Sequence, residues 1–382
     1  MKEVRIVVRG TPRQSAFCPV SVRISRSLKE LKDCALTDLA RNVAVPFQLE
    51  PAAGGAVIHW TIDAVAPGQE REYALRTGKP AGTPGVRVEA AGQEPVTVHV
   101  GGELLTRYIY GEGVSKPCLY PVTGPFGHGV TRAYPQEKVE GDSTDHVHQR
   151  SLYVAWGDVN GSDNWSEEPG HGRMLHRYFE ATESGPVFGR IVSLNDWVSH
   201  AGARLMQDRI EYRFYNVPPS FRLFDLDVTF YASDGDVRFG DTKEGGIISV
   251  RVATALEVGH TGRIENGYGG TNEGETWGKR APWCDYSGLL QGHRVGLAVF
   301  DHPSNLRHPT YWHVRDYGLM TANPFGLSHF VDKTADGSYV LAAGGRIRFR
   351  YRVLVHAGDA AVGGVRDKYL DWVFPPSTAV RE

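Results

Sequence analysis

Glycine and proline break this chain into short runs rich in Val, Ile, Tyr and Phe: 45 glycines and 22 prolines punctuate 382 residues, and few windows carry helical periodicity. Runs of strand length between turn-forming residues specify an all-β protein. Strands are expected at residues 4–8, 20–24, 57–62, 71–75, 96–100, 106–110, 209–215, 222–231, 246–252, 294–300 and 346–355. A helical turn or two is expected within residues 27–39, where Leu28, Leu31 and Cys34 or Ala35 share a face, and another helix at Val365–Val373.

A chain of this length exceeds the roughly 250–300 residues that one core usually serves, so two units are expected. The run Gly78-Lys79-Pro80-Ala81-Gly82-Thr83-Pro84-Gly85 collects the residues of turns and linkers and marks the boundary. A small β-sandwich is expected over residues 1–90. A large two-sheet sandwich is expected over residues 91–382, with a site on its concave sheet or rim, because loops on a rigid scaffold usually hold function.

With 44 acidic and 42 basic residues the formal charge is -2, which provides no field to attract nucleic acid or an anionic membrane surface. No window approaches the roughly 20 apolar residues of a spanning helix. The first residues alternate charged and β-branched side chains and lack the apolar stretch of a secretory signal, so a cytoplasmic location is expected; removal of a leader would make it secreted or periplasmic. Cys18, Cys34, Cys118 and Cys284 form no C-x-x-C pair and are expected as buried free thiols. The oligomeric state is not specified.

Three polar clusters stand out between residues 145 and 326. The first is Asp145-His146-Val147-His148-Gln149-Arg150, with Asp158, Asn160, Trp165 and Glu167 following. In a strand, His146, His148 and Arg150 would share one face. Such an H-x-H pair can ligate a divalent metal, which makes His146 and His148 the candidate ligands, or can supply a general base and an electrophile. The second cluster, Asp301–Asn305 followed by residues 308–326, carries His302, His313, Arg315 and Asn323 just after the apolar run 295–300. The third is Asp241-Thr242-Lys243-Glu244-Gly245, a charged turn in which Lys243 and Glu244 either sit on a surface hairpin or form a pair that tunes a catalytic carboxylate. Neither a phosphate loop nor a dinucleotide fingerprint fits it. Six of the eight tryptophans, Trp156, Trp165, Trp197, Trp277, Trp283 and Trp312, lie in or between these segments. Aromatic faces beside carboxylate, imidazole and guanidinium groups suit a sugar, whose C–H faces pack on rings while its hydroxyls need polar partners.

The segments 145–150, 157–160, 241–245, 277–280 and 301–326 resemble a bacterial family of unknown function labelled PmoA or "methane oxygenase", with the likeness running from about residue 106 to the end. Members commonly read D-H-P-H-H-R where this chain has Asp145-His146-Val147-His148-Gln149-Arg150, so the proline and one histidine are missing. The label conflicts with the sequence, because the particulate methane monooxygenase subunit is an integral membrane protein and this chain has a mean hydropathy of -0.33 and no spanning segment. The resemblance implies a galactose-mutarotase-like β-supersandwich, a fold shared by sugar epimerases, glycoside hydrolases and polysaccharide lyases.

The expectation is a carbohydrate-active hydrolase, lyase or epimerase acting on a sugar or oligosaccharide. His148, His313 and Glu244 are the expected acid–base groups, with Lys243 and His302 beside them. Arg150, Arg315, Asn323, Asp158 and Asn160 would hold substrate, and Trp156, Trp165 or Trp312 would stack on it. A non-catalytic sugar-binding protein and a metal-dependent enzyme are the alternatives.

Overall fold

The computed structural model describes residues 3–82, 85–92 and 94–381, and it is an all-β structure built from antiparallel sheets. The expected strands lie within observed ones or overrun them by a single residue. Within residues 27–39 only Leu28–Leu31 is helical. The expected face that continued to Cys34 is instead the strand Cys34–Asp38, whose alternately buried residues pair with Glu70–Thr77. The linker residues Thr83 and Pro84 lie outside the described residues.

A five-stranded sheet (Ser377–Arg381, Val4–Arg9, Glu70–Thr77, Cys34–Asp38, Val43–Val45) accompanies a three-stranded one (Ser15–Ile24, Gly55–Val65, Phe47–Ala52). Ile6, Val8, Leu36, Ile58, Trp60 and Leu75 fill the space between them. The final strand belongs here because it pairs with Val4–Arg9, whereas Val86–Glu89 pairs with Val96–Val100 in the larger sheet. Gln48 fastens this unit to the rest by accepting hydrogen bonds from the backbone of Val187 and Phe188 at 3.3 and 3.1 Å.

The larger unit packs a nine-stranded sheet against an eight-stranded one over a single extensive core. Period-two alternation explains the eight-stranded sheet. In Phe221–Tyr231, Phe224, Leu226, Val228 and Phe230 enter the core while Asp225 and Asp227 face out, opposite Arg352 and Arg350 of Arg346–Ala357. The Arg352–Asp225 ion pair, at 2.6 Å, joins two such cross-strand neighbours.

The nine-stranded sheet differs because its central strands are covered on both sides. Gly245–Arg251, Leu152–Trp156 and Leu319–Asn323 are buried along their whole length. Loops between strands form the second cover, and the polar residues of these strands meet them there.

Candidate functional site

Alternation sorts the central strands of the nine-stranded sheet. Ile248, Val250, Met320, Ala322 and Val314 enter the main core, so their neighbours Ser249, Thr321 and His313 point to the other side. Register places Tyr153, Ser249, Thr321 and His313 opposite one another across four strands. His313 is only 2% exposed. Its Nδ1 lies 2.8 Å from the Lys243 carbonyl oxygen, which can only accept, so Nδ1 carries the proton. Nε2 therefore carries the lone pair, and this atom is buried with no partner among the described residues. Burial pushes the ring well below its ordinary pKa against the opposing pull of Glu244.

The turn that supplies that carbonyl is held from both ends. Asn323, fully buried, donates to the carbonyls of Thr242, Lys243 and Gly245 at 3.0–3.2 Å and accepts from the backbone of Phe325 and Gly326. Asp241 accepts from the backbone of Ser328 and Gly337 at 2.9 and 2.7 Å. Between these anchors Glu244 pairs with Lys243 and keeps 46% of its side chain exposed, so solvent reaches the carboxylate. Burial alone would raise the Glu244 pKa, but the Lys243 ammonium and the His313 and His148 rings hold it lowered. Gly157 permits this approach: a Cβ there would lie 2.4 Å from the Glu244 carbonyl oxygen.

His148 arrives on a loop, which corrects the strand reading of residues 145–150. His146 has φ +43°, in the left-handed region, and Gln149 N bonds back to His146 O at 2.9 Å, so alternation is lost at that point. The cause is Arg132, fully buried, whose guanidinium donates to the carbonyls of Ser143, Asp145, His146 and Gln149 and to the Asp145 carboxylate. Arg251, also fully buried, binds Gln149 at 2.7 Å and Glu257 at 2.9 Å and lies 4.7 Å over the Tyr317 ring. Tyr317 stacks on His146 at 5.0 Å, and His146 meets His148 edge-on at 5.7 Å. The two imidazoles thus become neighbours through a turn rather than through a strand.

Beneath His148 lies a buried charge network. Lys116 Nζ donates to the carbonyls of Trp165 and His148 at 2.6 and 3.2 Å and pairs with Glu167 at 3.2 Å. Arg150 binds the same carboxylate through two hydrogen bonds of 2.8 and 2.7 Å, so it is committed internally rather than presented to substrate. Burial, reinforced by the Lys116 charge, lowers the His148 pKa to about 4. Trp165 packs 5.6 Å from the His148 ring.

Glu244, Lys243, His148 and His313 therefore form one electrostatic group, with His146, Arg315 and Trp165 at its margin. Arg315 lies 5.4 Å over Tyr317 and forms a 2.9 Å ion pair with Glu273. Other expected site residues go elsewhere. His302 bonds Ser304 and Arg350 and packs on Trp372, sharing no contact with the Glu244 group among the described residues. Asp158 and Asn160 brace Val237–Phe239, through Arg238 and the carbonyl of Asp236. Trp156 and Trp312 are fully buried, their indole N–H groups bonded to the carbonyls of Gly240 and Ala281, so neither offers a stacking face. Asn323 shapes the turn instead of meeting a ligand. His146 Nδ1 lies 2.7 Å from Asp145, an arrangement suited to orienting a metal ligand, yet no three His, Cys, Asp or Glu side chains among the described residues group to hold an ion.

Several participants had no role assigned from the sequence. Trp277, half-buried, meets His313 edge-on at 6.5 Å and Phe330 at 5.4 Å. His329 and Tyr317 both feel the Glu244 charge. Trp277 and Tyr317 lay inside the polar segments already marked, but Lys116 carried no local signal.

No curated protein sequence matches the chain. Residues 95–369 match the model of a family described as a family of unknown function, DUF6807, which spans the eight-stranded sheet, the nine-stranded sheet apart from its edge strand Val86–Glu89, and every residue of the Glu244 group. With well over half of its length so matched, the chain belongs to this family of unknown function, DUF6807.

Proposed function

We propose that the protein is a carbohydrate-active enzyme that transfers protons to and from a sugar at the Glu244 group. The observation that carries this reading is the His313 Nε2 lone pair, buried, unpartnered among the described residues and fixed in its tautomer by the Lys243 carbonyl. With Nδ1 protonated, Nε2 is the ring's one acceptor, and a substrate that displaces the side chains covering it would meet a general base. Burial keeps His148 neutral as well, and Glu244 acts on both rings.

The set favours proton abstraction from the sugar, as in β-elimination or epimerisation, over hydrolysis. Glycoside hydrolysis ordinarily needs two carboxyl groups flanking one bond. Asp241 and Glu167, the carboxylates that share a histidine neighbour with Glu244, are both committed, Asp241 to the backbone of Ser328 and Gly337 and Glu167 to Arg150 and Lys116. Lys243 and Arg315 would stabilise the negative charge that develops when a proton leaves. Trp277 and Trp165 supply apolar surface beside the two rings. The galactose-mutarotase-like fold implied by the sequence resemblance is shared by sugar epimerases, glycoside hydrolases and polysaccharide lyases, so the reaction has to be chosen from the site itself.

The test incubates wild type, H313Q and E244Q with neutral and uronic-acid oligosaccharides and follows products by mass spectrometry. Elimination cleaves without adding water, epimerisation keeps the mass and changes the stereoisomer, and hydrolysis adds water. Turnover by wild type that falls at least about a hundredfold in H313Q is expected, the usual scale of general base loss. Saturable binding without turnover across the panel would replace this reading with that of a sugar-binding protein.

A further inference from the structure

The open edge of the large sandwich carries three adjoining hollows that the Glu244 group does not explain. One, of about 630 Å³, is lined by Tyr110, Phe179 and Gly92. It shares Gly111, Glu112, His176 and Arg177 with a second of about 500 Å³. The second shares Arg173 with a third of about 450 Å³, which reaches Glu167. Each volume falls in the roughly 300–1,000 Å³ range of small-molecule sites. Glu167 in turn pairs with Lys116, which holds the His148 carbonyl, so the chain of hollows ends beside the candidate site.

We propose that these hollows form one groove that holds the distal units of an oligosaccharide whose reacting unit lies at Glu244. This inference rests on the carbohydrate reading above. Its far end has an aromatic wall: Tyr110 meets His176 at 4.5 Å and Phe179 at 5.0 Å, both edge-on, which fixes the Tyr110 ring beside the hollow. Along the groove, Glu112, Arg173 and His200 are exposed and have no side-chain partner among the described residues. Unpaired groups of both signs, leading from the aromatic far end to the polar hollow by Glu167, match hydroxyl-bearing units better than a polyanion, which would need a basic stripe.

An extended peptide is the rival occupant, because Arg173–Glu183 is an edge strand of the eight-stranded sheet. Register shifts at His176/Tyr178 and Phe179/Ala181 interrupt that edge, however, and bulges of this kind oppose continuous strand addition.

The experiment titrates the full-length protein calorimetrically with cello-, xylo- and galacturono-oligosaccharides of one to six units. Wild-type affinity should rise at least about tenfold from one unit to four in a neutral ladder, cello or xylo, and not in the charged galacturono one, the scale of one added stacking contact. R173A, altered at an exposed side chain, and Y110A should lose that gain while keeping the affinity for the single unit. Length-independent binding, or a length gain retained in both variants, overturns the groove and leaves the Glu244 reading standing. Absence of binding in every ladder overturns both. A casein digest titrated alongside should give no saturable heat; saturable binding lost in R173A would reassign the groove to extended peptides.

Discussion

Replacing Glu167 by glutamine removes the one carboxylate placed between Lys116 and Arg150, two cations whose side chains are 2% and 15% exposed. Burial alone would raise the Glu167 pKa, but two hydrogen bonds from Arg150 and the charge of Lys116 lower it from the ordinary 4.5 to about 2. That fall corresponds to ~3 kcal/mol in favour of the ionised form in the folded protein. Glutamine cannot compensate either cation; burial already lowers the Lys116 pKa to about 8, so that ammonium can shed its proton, but Arg150 stays ionised, and leaving a buried charge unpaired typically costs about 3–5 kcal/mol. An expected loss of ~3 kcal/mol follows. Because the folded pKa is depressed, the stabilisation is complete above pH 4.5 and disappears as pH falls towards 2.

Urea unfolding of wild type and E167Q at pH 7, 5 and 3 measures this directly. The difference should be equal at pH 7 and 5 and smaller at pH 3. The double variant K116M/E167Q should recover part of the loss, since it removes one of the stranded cations together with its partner. A difference below about 0.5 kcal/mol at pH 7, or one that does not shrink on acidification, would refute the account of this network. Glu167 also occupies the left-handed region at φ +58°, which costs a non-glycine residue roughly 1–2 kcal/mol, so the same ion pairs hold a strained turn in place.

Two further outcomes follow from the same geometry. His148 and His313 are held neutral by burial, so the folded protein binds fewer protons than the unfolded chain between pH 6.5 and about 4. Stability should therefore fall by about 2 kcal/mol or more as pH drops through that window, and H148Q/H313Q should flatten the decline; equal pH profiles would contradict the burial of these rings. Gly157→Ala should cost ~2 kcal/mol and reduce turnover beyond what unfolding explains, because the new methyl would meet the Glu244 carbonyl at 2.4 Å; thermal melts with kcat/KM measured on the same preparations check both parts.

Much of the candidate site is legible in the sequence because its residues sit in compact polar segments. Lys243-Glu244 and His313 were marked from local contrast alone, since charged groups at the ends of apolar runs meet solvent or loops. The roles of individual residues were less legible. Arg150 and Asn323 have the chemistry of ligand-binding groups, but their partners, Glu167 and the carbonyls of the 242–245 turn, are separated from them in sequence. Trp156 and Trp312 look like Trp277 in composition, and only burial distinguishes the two that fill the core from the one beside His313.

The sequence by itself determined the all-β class, because period-two alternation between turn residues is a local property that any extended chain displays. It also marked the polar cluster that carries His313, although the strand Tyr311–Val314 that turns this ring away from the main core was not among the expected ones. Tertiary structure alone decided that residues 145–150 form a turn, because the carbonyls that would have joined a ladder are taken by Arg132. It likewise decided that Lys116 supports His148 and that the last strand returns to the first. Such pairings join residues distant along the chain, and their energy comes from removing charge and apolar surface from water in a space that no local window describes.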